Sequence, residues 1–491
     1  VLHLCLSFQV GAGKALIFIV VLGLGGSFQN GFHLTAISSP SPYIQSFINS
    51  SWTDHYGGVP GEKTVTFIWS AVVALYALGG LFGFFFSQKC IFIYCICSSC
   101  RKKSMLLNSA LAVVATVIMY ISKPTNSFEL ILVARFLLGF GAGLGGNVHI
   151  IYLGESSPKK IRGIVTLTAA TFLSLGKLSG QFAGLREIFG REEWWNILLC
   201  IPAFFCVVQL AILPFFPDAP RYILIEKGNT QQCKRALQSL WGPGDYKLEI
   251  EEMLAEQAVI GEEHNKSLLD LLRDKHLRWQ ILSILVINGC LQFSGISAIT
   301  VFSFNIFLEA GIPVDKIRYV TLGIGASEVL ISITCVSSNV NIMNHPCVFE
   351  HHYVINHCHP LPKGDSVIPY STVVLIFLFI IFYGGGPAGI APSLANEIFI
   401  QSYRPAAFVF TGFPRWLGFT IFGFIFPFLI ASLKSLCFVL FSCICLIAAL
   451  YVFFILPETK GKTLLEISQE FENIRACGSS TEDVMCLETK L

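Results

Sequence analysis

Charged residues are scarce in this chain, so those that recur at a fixed spacing carry information. Glu155 and Arg162 stand seven residues apart in Gly154-Glu-Ser-Ser-Pro-Lys-Lys-Ile-Arg-Gly163. The spacing returns 242 residues later as Glu397 and Arg404, in Asn396-Glu-Ile-Phe-Ile-Gln-Ser-Tyr-Arg-Pro405. A second echo has nearly the same offset. Phe216-Pro-Asp-Ala-Pro-Arg-Tyr222 follows one apolar run, and Leu456-Pro-Glu-Thr-Lys-Gly-Lys462 follows another, 240 residues on. The chemistry of such residues is ion pairing that can be made and broken. Two matches at one offset indicate a duplicated unit whose halves end on the same side of a membrane. Lys177 is a different case, a cation at the middle of a long apolar run. On a 3.6-residue period it shares a face with Ala170, Ser174 and Gln181. A mid-span charge is costly in lipid and poorly placed to snorkel, so that face is expected to line a polar space. The cluster His345, Cys347, His351, His352, His357, Cys358 and His359 has metal-ligand residue types, but its spacing fits no metal motif and no metal is expected.

The elements that position these residues follow from composition. Of 491 residues, 54% are hydrophobic and 13% charged, outside the range of soluble domains. Apolar runs of spanning length recur near 15–38, 64–86, 104–121, 130–153, 163–185, 195–216, 279–308, 319–340, 369–396, 406–432 and 435–456. The expected class is an all-α polytopic membrane protein. A net charge of +2 gives no reason to expect a nucleic-acid partner. The 17 cysteines fall mostly in or beside apolar runs, against a secreted disulfide framework. The first residue is Val1, as expected of a truncated sequence, and the first apolar run is too long and polar for a cleaved signal peptide.

Basic residues set the orientation. Arg101-Lys-Lys103, Lys159, Lys160 and Arg162 crowd one face, which is therefore expected to be cytoplasmic, with the N-terminus inside. The opposite face carries the 39–63 loop, whose Asn49-Ser50-Ser51 is an expected glycosylation site, whereas the other sequon, Asn265-Lys-Ser267, lies in the cytosolic 217–276 and is not expected to be glycosylated. Residues 217–276 are charged and Leu-patterned, the signature of short amphipathic helices, broken near Pro243. Eleven spans would put Arg404 and 457–462 outside, whereas the repeat demands them inside, so one crossing is missing between 341 and 368. That stretch, with five of the 11 histidines and three prolines, is not expected to cross lipid as a helix.

At this point several stretches form a pattern: Arg101-Lys-Lys103, Arg135-Phe-Leu-Leu-Gly139, Tyr152-Leu-Gly-Glu-Ser-Ser-Pro158, Arg162-Gly163, Pro217-Asp-Ala-Pro-Arg-Tyr222, Gln292-Phe-Ser-Gly295, Gly386-Pro387, Arg404-Pro405 and Pro457-Glu-Thr-Lys-Gly461. At these spacings the chain resembles the facilitative hexose transporters, the sugar-porter branch of the major facilitator superfamily. Ser41-Pro-Tyr-Ile-Gln45 and Ala310-Gly-Ile-Pro313 are similar to its class II branch, whose members carry fructose and, in one case, urate. The resemblance implies a major facilitator fold of two six-helix halves rocking about a central sugar site. Its helix 9 and preceding Gly-Arg-Arg motif are absent here, replaced by about 341–368, and the run Cys90–Cys100 also departs from the pattern. Both departures read as mis-joined coding sequence.

The resemblance also implies roles. Gln292 holds the family's helix 7 sugar-contacting position; Ser297 stands where an Asn is usual; Ile299 completes a pattern linked to fructose acceptance; Pro392 replaces a Trp that closes over glucose. It places the Ser174, Lys177 and Gln181 face on the central cavity. His33 occupies the position of a proton-binding Asp in proton-coupled relatives, and with no carboxylate in its helix passive uniport is expected. Arg101, Arg135, Glu155, Arg162, Arg221, Glu397, Arg404 and Glu458 read as a cytoplasmic ion-pair latch. The expected units are an N-terminal half (1–216), a cytosolic helical linker (217–276), a C-terminal half (277–456, with helices 7, 8 and 10–12) and a cytosolic tail (457–491). The expected function is facilitative transport of a hexose, fructose or glucose, at the plasma membrane, with both termini cytoplasmic. The partners are a small sugar and the lipid bilayer; no cofactor and no catalytic residue is expected. The alternatives are a urate or organic-anion carrier, suggested by Lys177, and a non-transporting product of the missing helix.

Overall fold

Long apolar segments have only one way to satisfy their backbone in lipid without closing a barrel, and that is helix. The computed structural model describes residues 12–93, 100–225, 227–242, 244–251, 253–254, 268–309, 311–337, 367–385, 394, 398–399, 403–433, 436–457, 467 and 469–471. Among these residues every regular element is helical, and eight helices are long and apolar enough to cross a membrane. In the first part of the chain they are α1 (Gly13–Thr35), α3 (Glu62–Ile93), α4 (Cys100–Ile121), α5 (Glu129–Ser156) and α7 (Trp195–Leu224). Between them lie α2 (Ser41–Tyr56) and α6 (Lys159–Ala183), the latter a 25-residue helix diluted by Ser, Thr, Gly, Lys177 and Gln181. After the short helix α8 (Thr230–Trp241) come α9 (Arg278–Leu308), α10 (Val314–Ser337), α11 (Val367–Gly385), α12 (Arg404–Leu433) and α13 (Leu436–Phe454).

Several boundaries differ from those read in the sequence, each for a local reason. The 39–63 segment, read as a loop, contains α2. Pro42 in its first turn and a left-handed Gly57 (φ 71°) at its end set its limits, while Ile44 and Ile48 bury one side. The sixth run extends to Leu224 because two breaks, at Pro202 and at the turn Leu213–Phe215, redirect it without ending it. The run read as 369–396 is helical over Val367–Gly385, and 386–393 lie outside the described residues, as do 341–366. Within 217–276 an amphipathic helix does form, at α8. Asn229 caps it, its side chain accepting from Gln232 N at 2.9 Å, and Cys233, Leu237 and Leu240 form a buried stripe.

Packing joins the two halves unevenly. One large core draws on both, from Phe32, Ile37 and Ile44 to Ile299, Phe302, Phe307 and Phe426. A second core belongs to the first half alone and unites Phe18, Leu22, Tyr152 and Val165 with Leu237 and Trp241 of α8. A third gathers Leu271, Ile284, Ile398, Phe399 and Phe471. The shared core lies toward the Asn49 face, and the separate cores lie toward the Arg101 face.

Candidate functional site

Three sets of polar residues stand out against this apolar background. The first is on the Arg101 face. Arg101 Nη2 lies 2.8 Å from Glu155 Oε1, joining the starts of α4 and the end of α5, with both side chains about a fifth exposed. The neighbouring Lys102 Nζ donates to the carbonyls of Pro214 and Phe216 at 2.8 and 2.7 Å, and Tyr152 Oη donates to Pro217 O at 2.8 Å. The Pro-Asp-Ala-Pro turn is thus held by side chains from α4 and α5. Trp241 Nε1 donates to Ser156 O at 2.7 Å and fastens α8 to the same end. Arg221 is half-buried in the last turn of α7. Arg162 and Arg404 open helices α6 and α12, with side chains outside the described set, and Glu397 and Glu458 lie outside it entirely.

Arg135 is not with them. It sits twenty residues before Glu155 on α5, about 30 Å along the axis, and is almost wholly buried. Its Nε donates to Val72 O at 3.2 Å and its Nη1 to His33 O at 3.1 Å, and the guanidinium lies 4.5 Å over the Tyr76 ring. The motif Arg135-Phe-Leu-Leu-Gly139 therefore clamps α1 and α3 to α5, a tie inside one half and not part of the outer-loop ion pairs. His33 is buried, its two ring nitrogens lacking any hydrogen-bond partner and its ring edge-on to Phe32.

The second set is a buried polar cluster around the π turn Leu24–Phe28 of α1. Gln29 Nε2 donates to Gly25 O at 2.7 Å, Cys206 Sγ donates to Gln29 Oε1 at 2.7 Å, and Ser27 Oγ pairs with His149 Nδ1 at 2.8 Å. Asn108 donates to Gly25 O at 3.3 Å, Gln209 to Val21 O at 3.3 Å, and Ser109 to Gln209. Buried polar groups behave this way as interhelical glue.

The third set lies where the halves meet, along α6 and α10. Lys177 Nζ stands 2.8 Å from Glu328 Oε2, with the two side chains 18% and 14% exposed. One turn away Ser174 Oγ faces Ser332 Oγ at 3.4 Å. One turn the other way is Gln181, whose Oε1 is buried without a partner and lies against Gly325. A Cβ at Gly325 would fall 2.0 Å from that oxygen and 3.2 Å from Leu178 Cα, so the glycine leaves the space that the Gln181 amide fills. Gln181 also lines a small pocket with Thr35, Ser38, Ser303, Arg318 and Thr321. Above it Ser38 Oγ and Ser303 Oγ meet at 2.8 Å, and Tyr319 Oη donates to Glu187 at 3.1 Å.

Gln292 is brought to a break in α9 where Gly295 takes φ +94° beneath the Phe441 ring. Its Nε2 donates to Arg415 O of α12, while Ser297 Oγ donates to its Oε1 at 3.3 Å. Gln292 and Ser297 are thus joined. Ile299 points into the shared apolar core, and Pro392 lies outside the described residues. Asn49 is exposed on α2, and its sequon partner Ser51 is buried against Asn126 O. The sequence reading missed Glu328, although an ionisable residue in the middle of a span is itself a signal.

Two helical halves that share a core at one end, keep separate cores at the other and meet along a polar seam have the build of a membrane carrier. The chain belongs to the family described as "Sugar (and other) transporter", whose model matches residues 18–344 and 346–471. The break between the two matches is the single position His345, in the His-rich stretch. Human solute carrier family 2, facilitated glucose transporter member 9 is 37% identical over 454 residues, covering 91% of this chain and 83% of the relative. Sheep member 5 is 36% identical over 460 residues, covering 92% and 91%. Human member 11 is 35% identical over 468 residues, covering 94% and 93%. The fold matches the inward open conformation of the xylose transporter XylE from E. coli with a TM-score of 0.72 at 16% identity, over 94% of this chain and 99% of that one. It matches XylE bound to 6-bromo-6-deoxy-D-glucose, described as a proton:xylose symporter, with a TM-score of 0.70.

Proposed function

We propose that this chain is a facilitative hexose carrier, a uniporter for fructose or glucose, working by alternating access in the plasma membrane with both termini cytoplasmic. In this reading residues 1–216 and 277–456 are the rocking halves, 217–276 the cytosolic linker and 457–491 the tail. The observation that carries it is the pair Gln292–Ser297 at the α9 break. An uncharged amide and a hydroxyl beside a helix break offer both donors and acceptors, which replace the hydration of a sugar's hydroxyls. Uniport is supported by the absence of any Asp or Glu in 13–35. Arg101–Glu155 fits the role of a releasable inner latch. A single part-exposed pair contributes only ~0.2–1 kcal/mol, so it biases the equilibrium between states without locking it.

The test is uptake of labelled fructose, glucose and urate into vesicles holding the chain. A parallel version carries a Gly-Arg-Arg loop and an apolar helix of about 20 residues in place of 341–368. Saturable, competable hexose uptake by the chain as it stands supports the proposal. Uptake only by the second version identifies the non-transporting alternative, and no hexose uptake by either sinks it.

A further inference from the structure

Lys177 of α6 and Glu328 of α10 face each other across the seam, and each comes from a different half. Alone, Lys177 would be a strong attractor of anions, since a cation in a low-dielectric cavity interacts far more strongly than in water. Glu328 changes that. At 2.8 Å its carboxylate cancels the charge locally, and both groups are less than a fifth exposed, so water does little to screen either. An anion reaching Lys177 must displace Glu328 and leave a half-buried carboxylate facing a second negative charge. That arrangement is repulsive by construction.

We infer that Glu328 sets the charge selectivity of this carrier: paired with Lys177 across the seam, it excludes anionic solutes and favours neutral, hydroxyl-rich ones. The inference rests on the hexose-carrier reading and names a determinant of its substrate class. The surroundings agree. The ammonium has three donors and the carboxylate two acceptor oxygens, of which the pair uses one each, leaving capacity of both kinds. One turn away, Gln181 Oε1 is buried and unpartnered at the pocket wall, and Ser174 and Ser332 add two hydroxyls on the other side. A neutral polyol donates and accepts together, and matches this mixture better than a carboxylate or urate, which chiefly accepts. Arg318, the cation that does line the pocket, also has a carboxylate in its field. Glu187 is held below the usual range by a backbone N–H, then by the Tyr319 hydroxyl, with Arg318 contributing less.

The test is equilibrium binding of labelled fructose, glucose and urate to the purified full chain in detergent, so that turnover is not required. Four forms are compared: the natural chain, Glu328→Gln, Lys177→Gln and the double substitution. Melting temperature checks that each is folded. The natural chain is expected to bind hexose and no urate. Glu328→Gln frees the ammonium and should raise the urate-to-hexose affinity ratio at least tenfold; the double substitution should abolish that gain. Urate binding by the natural chain as tight as hexose binding overturns the inference. So does a folded Glu328→Gln protein with an unchanged ratio, or a gain that survives removal of Lys177. If the natural chain binds no hexose, the hexose reading fails, while the appearance of urate binding in Glu328→Gln is still read independently. Should Glu328→Gln not fold, the reversed pair Lys177→Glu with Glu328→Lys serves, and is expected to keep the hexose preference.

Discussion

The buried cluster around the π turn of α1 and the seam between α6 and α10 are both polar and both within apolar surroundings, yet they are built differently. In the cluster the side chains of Ser27, Gln29, Asn108, Ser109 and Gln209 are each bonded within one half. At the seam the partners come from opposite halves, as in Lys177–Glu328 and Ser174–Ser332, and Gln181 keeps an acceptor open. The cluster holds helices in place whatever the halves do. Under the proposed alternating access, the seam is where a relative movement or a solute would be felt. Polarity in a membrane helix is therefore not a functional signal by itself; which rigid unit owns the partner decides.

The sharpest way to break this contrast is at Gln292, whose partners Arg415 O and Ser297 belong to its own half, as in the cluster, but which the proposed function assigns to the solute. Gln292→Leu should reduce saturable hexose uptake by at least about tenfold, equivalent to ~1.4 kcal/mol, with the melting temperature nearly unchanged. A loss of stability as large as the loss of uptake would move Gln292 into the glue class. The reverse pattern is expected at Gln209→Leu, which strands Ser109 and the Val21 carbonyl. Stability should fall by about 1–3 kcal/mol, read as the midpoint of detergent-solubilised unfolding, while the ratio of fructose to glucose uptake holds. A changed ratio would mean the cluster touches substrate. A smaller effect is expected from Arg101→Ala: up to about 1 kcal/mol, seen as altered cysteine-labelling accessibility on the Arg101 face. Smallest of all is Asn49→Gln, which should remove a glycan-dependent gel shift and leave folding alone, whereas Asn265→Gln should shift nothing. A shift on losing Asn265 would overturn the assignment of the faces.

Much of the fold was legible because lipid imposes helix on every long apolar run, and all eleven runs read from sequence fall on helices of α1 to α13 with changes of boundary. The changes have named causes: Pro42 and Gly57 made a helix of an expected loop, and Pro202 redirected a span that composition alone left straight. The site was less legible. Lys177 could be placed on a polar face by periodicity, but nothing in its own neighbourhood discloses that Glu328, 151 residues later, would neutralise it. Arg135 was grouped with the loop charges because its motif is charged. Its partners are backbone carbonyls and an aromatic face, none of which leaves a sequence signature.

Gly325 has a mechanical meaning. A methyl there would fall 2.0 Å from Gln181 Oε1, the far end of a flexible side chain, while the nearest backbone atom, Leu178 Cα, stays at 3.2 Å. The glycine is thus a socket that fixes where the Gln181 amide comes to rest, as a keyhole fixes where a key sits. Gly325→Ala would then act as a shim. It would turn the Gln181 amide away from its place at the pocket wall and leave Ser38–Ser303 and Lys177–Glu328 as they are.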